Sequence, residues 1–109
     1  MAGKKAIPDE VRAQVEARVE RFNREVVKHP LRFFSVRFRD KYAYLDRDTY
    51  GRVGQRVRLT YSGDMEGWDF AIYKYSDERY DPDEWMFPGA EHIDGTIEGA
   101  LRAAMEAYP

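Results

Sequence analysis

Seven residues carry the most chemistry in this chain: Arg37, Arg39, Tyr42, Tyr44, Arg56, Arg58 and Tyr73. Guanidinium groups meet phosphates in two-pronged fashion and stack on planar rings. Tyrosine rings offer platforms for unpaired bases. Gathered on one open sheet face, these side chains suit single-stranded nucleic acid. They also suit one another: an arginine over a tyrosine on a neighbouring strand contributes about 0.5–1 kcal/mol. A third use is burial beneath the acidic stretch 77–84, which holds Asp77, Glu78, Asp81, Asp83 and Glu84. The sequence pI of about 5.7 weighs against nucleic acid, because such domains usually carry a basic balance.

The other candidates are fewer. The acidic stretch offers oxygen ligands for calcium or magnesium, but its spacing is not that of a helix–loop–helix calcium loop, and it lacks the central glycine. His29 and His92 are the two histidines. His29 precedes Pro30, and a cation there would suit a helix end. His92 sits between Glu91 and Asp94, so an acid–base or metal pair is conceivable, with an idle loop histidine as the alternative. Ser35, Ser62 and Ser76 lack a nucleophile turn, and there is no phosphate loop or dinucleotide fingerprint. No pattern requires a cofactor or a resident metal. Trp85-Met86-Phe87 follows the acids. Such side chains either close a core or anchor a protein partner.

The bulk properties bound these readings. With 109 residues, one domain covers 1–109, long enough for a core without staples. Aromatic residues are 15% of the chain, which excludes general disorder. There is no cysteine, so disulfides, thiolate metal sites and cysteine nucleophiles are excluded. No apolar run is long enough for a membrane span, and none follows Lys4-Lys5 as in a signal peptide, so no membrane role is expected and the cytoplasm is the expected location. Charge is uneven. Residues 31–60 hold eight basic and three acidic groups, whereas residues 61–109 hold three and twelve. The two regions either face each other within the fold or serve two partners.

The elements that must position the candidates read clearly. Residues 1–6 are expected to be a disordered leader. Val11, Val15, Val19, Phe22 and Val26 form one helical stripe, started by Pro8 and ended by Pro30, predicting a helix over about 8–28. Phe34, Val36 and Phe38 alternate with polar residues, and Tyr42-Ala43-Tyr44-Leu45 follows a tight turn at Asp40-Lys41. That register sets Phe38 against Ala43 and Val36 against Leu45. Asp46 to Gly54 reads as a polar loop. Two alternating runs then flank Ser62–Gly67, a hairpin signal that sets Tyr61 against Trp68, Leu59 against Phe70 and Val57 against Ile72. Pro82 and the crowded acids argue against a central strand beyond Tyr75. Trp85-Met86-Phe87 is either a short edge strand or a plug. Thr96 caps a last helix whose apolar face is Ile97, Ala100, Leu101, Ala104, Met105 and Tyr108. Gly99 weakens that helix and is expected to let it approach the sheet closely.

The predicted fold class is α+β. It is an antiparallel meander of four to five strands, with an N-terminal and a C-terminal helix packed on its apolar face. Lys41-Tyr42-Ala43-Tyr44 and the run Phe70-Ala71-Ile72-Tyr73-Lys74-Tyr75-Ser76-Asp77-Glu78-Arg79-Tyr80 resemble a small prokaryotic family of uncharacterised proteins. That resemblance extends over most of 20–109. It implies a small soluble protein and brings no activity, cofactor or functional residue. The leading expectation is a non-catalytic cytoplasmic binding domain acting through a protein partner or self-association, with Trp85, Met86 and Phe87 as its contact. The second is a single-stranded nucleic-acid binder using the arginine–tyrosine face. The third is an enzyme, for which Glu91, His92 and the acidic stretch are the available residues.

Overall fold

The computed structural model describes residues 6–109. The expected leader therefore lies outside the described residues, except for Ala6, which is exposed. Helix α1 spans Asp9–Phe22 and is followed by a π-helical turn over Asn23–Val27. Strands β1 (Arg32–Arg39), β2 (Tyr42–Thr49), β3 (Arg52–Thr60), β4 (Asp69–Lys74) and β5 (Arg79–Asp81) come next. A single 3-10 turn at Ala90–His92 leads to helix α2, Ile97–Ala107. The five strands form one antiparallel sheet in sequential order. It is an α+β meander with both helices on one face.

The apolar alternation fixes which face is covered. Ala43, Leu45, Val57, Leu59, Phe70 and Ile72 point to the helices and are buried with Val11, Val15, Val19 and Phe22 of α1 and Ile97, Ala100, Leu101 and Ala104 of α2. The expected pairs Val36–Leu45, Phe38–Ala43, Leu59–Phe70 and Val57–Ile72 are present, whereas Tyr61 and Trp68 lie just beyond the β3–β4 ladder with their ring centroids 5.0 Å apart.

Four details differ from the sequence reading. Asp46 to Gly54 is not a loop. β2 and β3 extend through it and turn at Tyr50-Gly51, whose positive φ values of 53° and 90° suit a tight hairpin turn. The fifth strand is Arg79–Asp81, not Trp85–Phe87, and its brevity and edge position reconcile it with Pro82. The first helix stops being α-helical at Phe22. In the wider turn that follows, the Asn23 side chain donates to Phe34 O and accepts from Phe34 N–H, both at 2.8 Å. Gly99 does not make room for the sheet. A Cβ there would run into the His92 carbonyl and the Asp94 carboxylate, so the close approach is to the loop before α2.

The same loop caps α2. Thr96 Oγ1 accepts from Gly99 N–H at 2.9 Å, while the Asp94 carboxylate accepts the Thr96 N–H at 3.0 Å and its hydroxyl at 2.6 Å. Thr96→Ala should lower stability in a urea titration at neutral pH by about 1 kcal/mol. The hydrogen bonds from Thr96 hold the Asp94 carboxyl below its ordinary value of 3.8. A depressed carboxyl stabilises the fold above its unfolded pKa, and that stabilisation is lost as pH falls through the folded one. The gap between wild type and Asp94→Ala should therefore close as pH drops below 3.8. A gap that stays constant into acid would show that the charge of Asp94 contributes nothing.

Candidate functional site

The sheet face away from the helices carries the tyrosines and arginines. Strand register places Arg37 beside Tyr44, Arg39 beside Tyr42, and Tyr44 beside Arg58. β5 adds a member that the sequence reading left out: Tyr80, paired with Tyr73. Tyr80 enters through β5, a three-residue edge strand that the surrounding acids and Pro82 disguise. Six of the eight tyrosines then touch in a row. Ring centroids are 6.0 Å apart for Tyr42–Tyr44, 5.4 Å for Tyr44–Tyr80 and 4.9 Å for Tyr80–Tyr73. The row continues at 4.9 Å for Tyr73–Tyr75 and 5.5 Å for Tyr75–Tyr108.

Arginines fill the spaces between rings. The Arg37 guanidinium lies 4.4 Å from the Tyr44 centroid, and Arg58 lies 4.8 Å from Tyr42 and 5.6 Å from Tyr80. Arg37 also donates to the buried Asp46 carboxylate at 2.7 Å, and that bond raises its pKa. The Tyr80 hydroxyl accepts from Gln55 at 3.2 Å and from Arg37 at 3.4 Å. Burial pushes the Tyr80 phenol up, against the pull of those two donors. The face is a self-paired lattice, open to solvent at Arg37, whose side chain is 51% exposed, and at exposed Arg39.

Arg56 leaves this group. β3 bulges where Leu45 pairs with Val57 but Asp46 pairs with Gln55, so Arg56 has no partner in the ladder. Its guanidinium stacks over Tyr108 at 4.9 Å and donates to the Tyr75 hydroxyl at 2.7 Å. No period-two reading of β3 could anticipate a bulge. Arg37, Arg39, Tyr42, Tyr44, Arg58 and Tyr73 remain together.

The acidic stretch does not cover this face. Among the described residues, none of its carboxylates pairs with Arg37, Arg39, Arg56 or Arg58. Asp77, Asp81 and Glu84 instead surround Lys74 at 3.7, 3.7 and 3.1 Å, and Glu84 raises the Lys74 pKa. Glu84 also accepts the Met86 N–H at 3.0 Å. Beyond it the aromatic trio divides. Phe87 stacks on Phe70, centroids 6.0 Å apart and planes at 13°, and belongs to the core. Trp85 and Met86 point out, 53% and 91% exposed.

The two histidines are engaged. His29 accepts the Leu31 N–H on Nδ1 and meets the Tyr50 hydroxyl through Nε2 at 3.3 Å. His92 Nε2 lies 2.7 Å from Glu106 and 3.9 Å from Glu91. The turn carrying Glu91 and His92 rests on α2 so closely that a Cβ on Gly89 would stand 2.8 Å from both Ala103 O and Glu106 Cβ. One nitrogen and two carboxylates within 4.8 Å could ligate a cation, but the Glu91 and Glu106 side chains are 72% and 49% exposed, and a surface hydrogen bond between His92 and Glu106 accounts for the contact.

Fold and site together define a small α+β domain whose meander keeps one face for its core and leaves the other to tyrosine and arginine. No described helix is long and apolar enough to cross a membrane. No protein-family model, curated protein or solved structure matches the chain.

Proposed function

We propose that this chain is a non-catalytic cytoplasmic binding domain whose partner is a protein, another chain or a second copy of itself. One observation carries the reading: Trp85 and Met86 stand exposed on a segment that Glu84 and Lys74 hold in place. An anchor ordered beforehand loses little entropy on binding, and tryptophan and methionine are enriched where proteins meet. The interlocked tyrosine–arginine lattice supports the same use, because its ring faces already hold guanidinium groups and are less available to stacked bases.

Photo-crosslinking from position 86 in cells tests it. A discrete adduct is expected, lost in Trp85→Ser and absent when the crosslinker sits at exposed Glu10. Equal labelling from both positions would sink the reading. Sedimentation velocity distinguishes a second copy from another chain.

A second reading, single-stranded nucleic acid, has its own support in the basic corner around Tyr42. Arg39, Lys41 and Arg58 meet there, with Lys41 Nζ 5.6 Å from the ring, and among the described residues none of the three joins an ion pair. In that case oligonucleotides should bind at low salt with a slope of roughly −3, from about four phosphate contacts. Arg39→Glu with Arg58→Glu should abolish the binding. No anisotropy change with mixed DNA and RNA up to high micromolar protein removes this reading.

A further inference from the structure

Three arginines lie near enough to one another for the charges of Arg32 and Arg56 to act on Arg47. Arg47 comes from β2, Arg32 from the start of β1 and Arg56 from the β3 bulge. Arg47 is 5% exposed, and its guanidinium carbon lies 4.6 Å from the centroid of Phe34, a core residue. No ion pair among the described residues includes any of the three. The Nε of each is buried without a hydrogen-bond partner. Burial first, then the charges of Arg32 and Arg56, push the Arg47 guanidinium below its ordinary value. Folded proteins pair the charges they bury, because an uncompensated one is strongly destabilising. An arginine does not escape that cost by shedding its proton, since it stays charged in proteins.

Arg47 and Arg32 line a cavity of about 310 Å³, walled by Val27, His29, Met105 and Pro109. The His29 ring contributes no free donor. Its Nδ1 accepts a backbone N–H and its Nε2 is taken by Tyr50, so the ring serves as wall. Two guanidinium groups are thus the cavity's charged donors, set among apolar side chains. We propose that this cavity binds a small oxyanion, a phosphate or carboxylate group on a small molecule, gripped by Arg47 and Arg32. Flat forked donors suit either group, and the stacking of Arg47 on Phe34 holds one fork ready. Arg56 strengthens the positive potential nearby. A volume at the low end of the roughly 300–1,000 Å³ usual for ligand pockets fits a few-carbon body, not a nucleotide.

Thermal melts in inorganic phosphate and in acetate, each against chloride at equal ionic strength, provide the test. Phosphate stabilises many proteins without binding, so the readout is the difference between wild type and variants. Wild type should gain melting temperature in at least one anion. Arg47→Met should lose that gain, and should melt no lower than wild type in chloride, because the substitution removes an unpaired buried charge. Arg32→Met, which is less buried, should weaken the apparent affinity by about tenfold or more, the effect of losing a charged hydrogen bond. It also serves if Arg47→Met does not fold. In nitrogen-15 spectra the Arg47 Nε–H resonance should move with the anion. A response to phosphate alone, to acetate alone or to both supports the site and identifies the group. No response to either, equal gains in all three proteins, or perturbations centred on Arg37 and Arg58 would overturn it.

Discussion

Leu101→Asp is expected to leave no folded domain. Leu101 is fully buried on α2, between Ala100 and Ala104, and faces the apolar side of the sheet. The aspartate would place a carboxylate among side chains that offer it no donor. Either the charge is buried unpaired, at a cost of several kcal/mol, or the helix lifts off and exposes the core. A domain of this size has about 5–15 kcal/mol of total stability, so either route exhausts much of it. Far-UV circular dichroism should show lost signal, and the melt should lose its cooperative step. Arg102→Gln, on the exposed side of the same helix, should stay within about 0.5 kcal/mol of wild type. A Leu101→Asp protein that melts like its parent would mean that α2 is peripheral.

Phe70→Ala should lower stability by about 3–5 kcal/mol, the usual cost of removing a buried aromatic ring. Phe70 is 7% exposed, paired with Leu59 on the next strand and stacked on Phe87. Its removal opens a hole between β3, β4 and the segment that carries Phe87. Neither strand can close that hole without breaking the ladder. In guanidinium titrations the midpoint should fall with an unchanged slope. A midpoint that barely moves would put the β4 register off by one residue, since a slip of one turns every side chain to the opposite face.

The hairpin β3–β4 was legible because period-two apolar patterning and a glycine-rich loop agree on one register. The α1 and α2 stripes were legible for the same reason at helical spacing. Asp46-Arg47-Asp48 was not, because consecutive charges read as a loop. Yet Asp46 pairs with Arg37 on one face, and Arg47 stacks on Phe34 on the other. Burial of a charged residue depends on partners distant in sequence, and local composition cannot reveal them. Arg47 therefore lay hidden in a stretch that looked solvated. The tyrosine–arginine face was foreseen, apart from Tyr80, which needed the position of β5, and Arg56, which a single bulge redirected.

Asn23 also bears on how this protein meets its own kind. The two rims of an open sheet invite other chains to add strands, a route to fibrils. At β1, the Asn23 amide already occupies the peptide group of Phe34, as a neighbouring strand would. At the far rim, β5 is three residues long, carries Arg79 and Asp81 and runs into Pro82, which has no N–H to give. β5 is a poor template for strand addition, and the template that β1 offers is interrupted at Phe34. Copies that meet are steered toward contact through side chains, which can separate again, and away from a shared backbone ladder that would lock them into an aggregate.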